Sequence, residues 1–314
     1  MKILVTGGCG YKGSVLIPKL LSQGHIVTVV DIMWFGNFLQ SHSNLNIIKS
    51  DIRLSDDSWF KNIDAVIHLA SVANDPCSEL NPKLSWEVGA LSTMQLADRA
   101  VKNNVKQFIY ASSGSVYGVS DELQVTESAS LNPITEYNKN KMVSERVLLS
   151  YANDMMIQIV RPATVCGYSP RMRLDVSVNM LTMQALTKGV ITVFGGDQTR
   201  PNIHIDDITD LYIFLLESKL MGIFNAGFEN LSILDIAKQV TLFVNAEIKI
   251  SESNDPRSYR VNSDKLLQTG FKPKKSVKDA IQELIIQYQQ GKLLDEDEFY
   301  NIRKMKKLST SCAL

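Results

Sequence analysis

Short apolar runs recur along the first half of the chain, and longer stretches with apolar residues three and four positions apart separate them. The runs are apolar at nearly every position, as in strands that helices cover on both faces. Regular alternation of strand and helix predicts a parallel, doubly wound α/β domain of the Rossmann type. The predicted strands are Ile3–Thr6, Ile26–Asp31, Asn46–Ser50, Ala65–Leu69, Gln107–Ala111 and Ile157–Arg161.

Helical spacing is clearest in Ser92–Lys102 and Thr135–Tyr151, which we interpret as crossover helices over residues 1–164. Beyond residue 164 the elements become shorter, and Gly and Pro fall closer together. This predicts a smaller, mixed substrate lobe over 165–290, from which the chain can return to the first sheet, and a charged tail over 291–314. We expect the tail to be a solvated helix or a loose end. Predicted elements of the lobe are Val176–Thr187, Ile191–Phe194, Ile208–Glu217 and Ile248–Ser251.

Composition narrows the possible functions. The 314 residues carry 33 Lys and Arg against 33 Asp and Glu, so no positive field would attract nucleic acid or an anionic membrane. The sequence opens directly into a strand and holds no apolar run of membrane-spanning length, which favours a cytoplasmic protein. The cysteines lack the paired spacing of a disulfide framework or metal site, and we expect reduced thiols and no metal at Cys9, Cys77, Cys166 and Cys312.

A glycine-rich turn follows the first predicted strand and opens a helix. Gly7, Gly10 and Gly13 are three residues apart, and Tyr11 and Lys12 lie between the last two. Glycine lets backbone N–H groups and the positive end of the helix approach a pyrophosphate closely. Such a turn between a strand and a helix predicts a dinucleotide site.

Asp31 ends the second predicted strand, eighteen residues after Gly13. A carboxylate there can accept both ribose hydroxyls and repels a 2′-phosphate, so the predicted cofactor is NAD rather than NADP.

Tyr137 and Lys141 are four residues apart on one predicted helix and therefore share a face. A phenol acts as a base near neutral pH only if a neighbouring cation lowers its pKa, and the lysine can supply that charge. Ser113 and Ser115 follow the fifth predicted strand, at the carboxyl edge where such sheets place their sites. We predict Ser113, Tyr137 and Lys141 as catalytic, with Ser113 and Ser115 also contacting substrate.

Together these motifs resemble the extended short-chain dehydrogenase/reductases, specifically the nucleotide-sugar epimerases and dehydratases, over the chain to about residue 290. The resemblance implies a Ser113, Tyr137 and Lys141 catalytic set and an NAD site. Further residues that it matches to the cofactor site are Asp51, Ile52, Leu69, Ala70 and Pro162.

The resemblance also implies a nucleoside-diphosphate-sugar substrate and a homodimer formed through the crossover helices near Leu96 and Val147. Arginine suits diphosphate binding because its planar fork grips phosphate oxygens in pairs. Arg171 and Arg173 lie in a loop that lines the sugar pocket in some relatives. The predicted substrate-binding residues, besides the two serines, are Asn74, Arg171, Asn179, Arg200 and Arg257.

Three positions depart from the family pattern. Gly89 replaces an asparagine usual in the helix before the Ser113 strand, so a backbone or water contact there is expected to be lost. Gly114 and Ser115 stand where the dehydratases carry acidic groups, which disfavours a 4,6-dehydratase. We therefore expect an NAD-dependent nucleotide-sugar epimerase acting through a transient keto-sugar, with C4 as the favoured carbon. The alternatives are a dehydrogenase that releases the keto-sugar, an NADPH-dependent keto-sugar reductase and an NAD-sensing regulatory protein.

Overall fold

The computed structural model describes residues 1–119, 122–252 and 258–310 of the chain. Seven parallel strands form the central sheet in the order β10-β6-β5-β4-β1-β2-β3. The strands of the described chain are β1 (Lys2–Thr6), β2 (Ile26–Asp31), β3 (Leu45–Lys49), β4 (Ala65–His68), β5 (Gln107–Ala111), β6 (Met156–Pro162), β7 (Thr164–Cys166), β8 (Val190–Phe194), β9 (Thr199–His204), β10 (Gly222–Ala226), β11 (Glu229–Ser232) and β12 (Glu247–Ser251).

Helices cover both faces of this sheet. Ile3 and Val5 pack into one core with α1 and α7, whereas Leu4 between them packs into a second core with α4 and α5. The predicted doubly wound Rossmann fold is confirmed. The α-helices are α1 (Gly13–Ser22), α2 (Asp75–Leu80), α3 (Pro82–Trp86), α4 (Ser92–Lys102), α5 (Glu136–Leu149), α6 (Ser177–Lys188), α7 (Ile205–Glu217), α8 (Ile233–Thr241), α9 (Asp264–Gln268), α10 (Val277–Gln289) and α11 (Asn301–Thr310).

The smaller lobe contains two small sheets and a third apolar core. In one sheet β9 pairs parallel with β7 and antiparallel with β11, and in the other β8 pairs parallel with β12. The core lies among α6, α8 and α10. The lobe is not one continuous stretch of chain, because α7 packs against α1 and β5, and β10 adds a strand beside β6. The division at residues 164 and 165 stays a prediction.

The charged C-terminal segment includes a helix, one of the two expected forms, but this helix packs against the protein on one face. Residues 301–310 form α11, whose Met305 is buried in the second core, where Ile302 and Leu308 pack beside it. The charged side chains occupy the other faces of the helix. The segment therefore belongs to the folded body, against α2.

Over the described chain, no helix combines the length and the apolar character that a membrane crossing requires.

Candidate active site

The glycine turn after β1 packs against neighbouring backbone more closely than side chains would allow. Gly7 has a φ of +73°, and a Cβ on it would lie 2.5 Å from the backbone nitrogen of Ala70. A Cβ on Gly13 would collide with the backbone of Gly8. Among the described residues, nothing accepts a hydrogen bond from the backbone N–H groups of Tyr11 and Lys12. Donors at the start of a helix beside a cavity fit a dinucleotide pyrophosphate.

Carboxylates line the same cavity, which has a volume of about 540 Å³. The Asp31 carboxylate accepts hydrogen bonds from the backbone N–H of Cys9 at 2.9 Å and of Met33 at 2.7 Å. Burial raises the pKa of Asp31, although these two N–H groups oppose the shift. The fixed carboxylate keeps lone pairs for ribose hydroxyls. Asp51 and Ile52 line the cavity nearby.

Tyr137, Ser113 and Lys141 meet at the carboxyl end of β5. The Ser113 hydroxyl lies 2.7 Å from that of Ser115, and its proximity to the Tyr137 phenol lowers the pKa of that phenol. The Lys141 ammonium lies 5.9 Å from the centre of the Tyr137 ring and donates to the backbone oxygen of Ala111 at 2.8 Å. The helix prediction that placed Tyr137 and Lys141 on one face is thus confirmed.

Burial governs the protonation of these groups. It raises the pKa of Tyr137 to about 12, and the negative charge of Asp75 adds to the shift. It lowers the pKa of Lys141 to about 7, helped by repulsion from Lys12. Without a bound positive ring, Tyr137 is therefore a phenol near neutral pH.

Most of the predicted site residues border this one cavity. Lys141 lies directly behind Tyr137, and Arg257 lies outside the described residues. The predicted residues that line the cavity are Gly7, Gly10, Tyr11, Lys12, Gly13, Asp31, Asp51, Ile52, Leu69, Ala70, Asn74, Ser113, Ser115, Tyr137, Pro162, Arg171 and Arg200.

Asn179 differs from the expected substrate contact. It is fully buried, and its amide nitrogen donates to the Tyr11 hydroxyl at 3.1 Å and to the Arg173 backbone oxygen at 2.9 Å. Its amide oxygen accepts the backbone N–H of Gly167 at 3.0 Å. Because its polar atoms are engaged by the protein, Asn179 braces the loop over the cavity instead of lining it.

The sequence and the fold of this chain are similar to those of known proteins. Residues 3–227 match the model of the NAD dependent epimerase/dehydratase family. This chain belongs to that family. Its cofactor is NAD, and it is an enzyme of the extended short-chain dehydrogenase/reductase type.

Individual relatives carry out different reactions. The chain is 28% identical over 318 residues to the UDP-glucose 4-epimerase of Lactobacillus helveticus, covering 90% of this chain and 95% of that one. It is 26% identical to the UDP-glucuronic acid decarboxylase 1 of Arabidopsis thaliana, covering 95% of this chain and 72% of the other. The UDP-glucuronic acid 4-epimerase of Bacillus cereus, solved with UDP-glucuronic acid and NAD, superposes with a TM-score of 0.81 at 27% identity. That superposition covers 92% of this chain and 99% of the epimerase.

Two carboxylates in the cavity, Asp75 and Asp175, were not predicted from the sequence. Arg173 binds both oxygens of Asp175, at 2.9 and 3.0 Å, and Asp175 accepts a hydrogen bond from Asn74 at 2.8 Å. Asn74 also caps α2 through Cys77. The chain of contacts ties the loop before α6 to the loop after β4. Asp75 lines the cavity beside Asn74 and accepts a hydrogen bond from Thr135.

The family asparagine that Gly89 replaces has a substitute from another helix. Residues Glu87–Leu91 form a π-helical turn, and a Cβ on Gly89 would overlap the amide of Asn140. That amide donates a hydrogen bond to the Ser85 backbone oxygen. Asn140, next to Lys141, therefore places an amide in the space beside Gly89.

Proposed function

We propose that this enzyme is an NAD-dependent nucleotide-sugar epimerase that inverts one ring carbon, C4 in the first instance, through a transient keto-sugar. The observation that carries the proposal is the contact of Tyr137 with Ser113, one turn from Lys141, in the same cavity as the glycine turn. A phenolate in this position can accept the proton that a substrate hydroxyl loses.

Each side chain has a defined task in this scheme. Ser113 and Ser115, 2.7 Å apart, position the reacting sugar hydroxyl by hydrogen bonding. Tyr137 accepts that hydroxyl's proton at its phenolic oxygen. The ammonium of Lys141 favours the phenolate electrostatically and is itself held by Ala111. When bound, NAD supplies the acceptor for the ring hydrogen and its electron pair. Tyr137 returns the proton after the sugar has presented its other face.

The residues after Ser113 support epimerisation over elimination. Loss of water across the ring needs an acid and a base beside the reacting carbon. Gly114 carries no side chain and Ser115 is neutral and bonded to Ser113. Elimination would therefore lack its second catalytic group at these positions.

Decarboxylation is the second candidate, since relatives covering 95% of the chain are UDP-glucuronic acid decarboxylases. Oxidation at C4 of a uronic acid would give a β-keto acid, which loses carbon dioxide readily. The first step and the residues serving it are the same as in epimerisation, so the two outcomes separate only at the keto stage.

The test uses purified protein, NAD⁺ and separate incubations with UDP-, GDP- and dTDP-sugars, including UDP-glucuronic acid. Absorbance at 340 nm follows NADH, and NMR identifies the sugar products. An epimer without net NADH supports the proposal. A pentose with released carbon dioxide would establish the decarboxylase, and accumulating NADH with a keto-sugar would establish the dehydrogenase.

The expected homodimer belongs to this proposal too. Leu96 is buried in the protein core, so it is not free for a partner. Leu91 and Met94, near Leu96 in the chain, are 45% and 42% exposed. They place apolar side chains on the protein surface there. We expect light scattering to show twice the monomer mass, and Met94→Lys to reduce it to the monomer value.

A further inference from the structure

Arg171 is a buried cation with little to neutralise it. Its side chain is in the loop between β7 and α6 and is only 2% exposed. One guanidinium nitrogen donates to the Asn301 side-chain oxygen at 2.6 Å and another to the Met172 backbone oxygen at 3.1 Å. Within the described part of the chain, its Nε has no hydrogen-bond partner, and no carboxylate lies within 4 Å of it. A buried charge of this kind is costly unless a ligand completes its bonding.

The residues around Arg171 show which part of the cavity it lies in. The guanidinium stacks on the ring of Phe35, 4.0 Å from its centre, four residues after Asp31. Among the neighbouring charged groups, Arg173 repels the guanidinium, and Asp175 and then Asp31 attract it. Trp34 lines the same part of the cavity, and its indole N–H is buried with no acceptor among the described residues. Trp34 and Arg171 thus both line the cavity, and each has a buried donor nitrogen without a partner among the described residues.

The C-terminal segment holds Arg171 in place. Asn301 begins α11, is 3% exposed and lines the cavity together with Ile302. The backbone N–H of Leu174, in the Arg171 loop, donates to the oxygen of Phe299 at 2.9 Å. Met305 anchors the helix in the core. The segment lies beyond residues 3–227, which match the family model.

We propose that Arg171 is a cofactor-contacting residue, not a substrate-binding one, and that Asn301 and the segment 297–310 form the outer wall of the adenosine half of the NAD site. The Arg171 guanidinium donates to acceptor oxygens of the cofactor. Asn301 is a positioning residue that acts through Arg171. Cofactor release then requires the Arg171–Asn301 contact to open. The proposal rests on NAD as the cofactor and not on which sugar reaction follows.

Binding measurements on the full chain test this assignment without any turnover. Protein stripped of cofactor is titrated with NAD⁺ by calorimetry, and NADH release is followed by stopped-flow fluorescence, for Arg171→Gln, Arg171→Lys and Asn301→Ala. Lys306→Ala is the matched control, because Lys306 lies on the exposed face of the same helix. Thermal unfolding without cofactor identifies any variant that fails to fold, and Arg171→Lys keeps the charge where Arg171→Gln does not.

Arg171→Gln is expected to weaken NAD⁺ binding by about tenfold or more, as for a lost hydrogen bond to a charged group. Asn301→Ala should speed NADH release several-fold, and adding it to Arg171→Gln should change little further. UDP binding should stay within about twofold in all variants. Unchanged NAD⁺ affinity in folded Arg171→Gln would overturn the assignment, as would weakened UDP binding with normal NAD⁺ binding.

Discussion

Glu145 and Arg161 form a buried ion pair next to the turn that carries Ser113. The Arg161 guanidinium donates to one Glu145 oxygen at 2.6 Å and to the other at 2.9 Å, and both side chains are at most 3% exposed. Glu145 also accepts a hydrogen bond from Ser112 at 2.5 Å, and Arg161 donates to Tyr117 at 2.8 Å. The pair joins α5, which carries Tyr137, to β6 and to the turn that holds Ser113.

Removing one partner of this pair should destabilise the protein strongly. We expect Glu145→Gln to lower the free energy of unfolding by about 3–5 kcal/mol, because it leaves the Arg161 charge buried without its counterion. Urea denaturation measures this. The control is Lys249→Ala at the exposed Lys249–Glu247 pair, which should cost about 1 kcal/mol or less. Equal effects at the two pairs would show that burial does not set their energies.

The packing of Gly89 on Asn140 makes a second prediction. Gly89→Ala places a methyl group on the Asn140 amide, which must move from its Ser85 hydrogen bond, at a cost of about 1–3 kcal/mol. Asn140→Ala removes the obstacle, so the double variant should be about as stable as Asn140→Ala alone. Chemical denaturation of the three variants gives the coupling. Additive effects would mean that the two residues do not share that space.

Lys12 is predicted to destabilise the cofactor-free protein and to stabilise the protein once the cofactor is bound. Its ammonium has one polar partner among the described residues, the Tyr212 hydroxyl at 3.4 Å. Burial lowers the pKa of Lys12 to about 8 from 10.5, with repulsion from Arg173 adding to the shift. Because the charged form is the disfavoured one, the destabilisation is complete below pH 8 and disappears as the pH rises to 10.5.

Lys12→Met should therefore raise the melting temperature of the cofactor-free protein at pH 7 and not at pH 10.5. It should also reduce the further rise that NAD⁺ causes, because the side chain lies beside the turn for the pyrophosphate. Thermal scans with and without NAD⁺ measure both effects. Exposed Lys106→Met is the control and should change neither. A lower melting temperature for cofactor-free Lys12→Met at pH 7 would contradict this account.

The carboxylate of Asp75 should raise the pH at which Tyr137 ionises. A nearby negative charge disfavours the phenolate, and Asp75 is the second cause, after burial, of the pKa near 12. Asp75→Asn should move the Tyr137 titration to lower pH. Absorbance at 295 nm, taken as the difference from the same protein carrying Tyr137→Phe, isolates this one phenol. Asp31→Asn, at another carboxylate of the cavity, should leave the titration in place, and an equal shift there would refute a local effect of Asp75.

The sequence predicted the central sheet well because its strands are short, continuous apolar runs with polar breaks. Of the six predicted strands, Ile26–Asp31 and Gln107–Ala111 agree with β2 and β5 to the residue. Most of the residues that line the cavity were also predicted from the sequence, because the carboxyl ends of parallel strands share one edge of the sheet.

Other features depend on contacts between distant segments. Asn140 fills the space beside Gly89 from another helix, which no local pattern reveals. In the C-terminal segment, the many charged residues make a narrow apolar face hard to recognise. The three-residue spacing of Ile302, Met305 and Leu308 could have indicated that face. The placement of Arg171 beside Asp31, and of Asn179 away from the cavity, depends on the fold of a loop between lobes.

The central claim is that the ring hydrogen leaves one carbon of the sugar and returns to the same carbon on its other face. It is tested most directly with UDP-glucose deuterated at C4 and a catalytic amount of NAD⁺, followed by NMR. We predict UDP-galactose that retains the deuterium at C4, no net NADH, and no product with Tyr137→Phe. UDP-galactose without the label at C4, or a rate undiminished in Tyr137→Phe, would contradict the account.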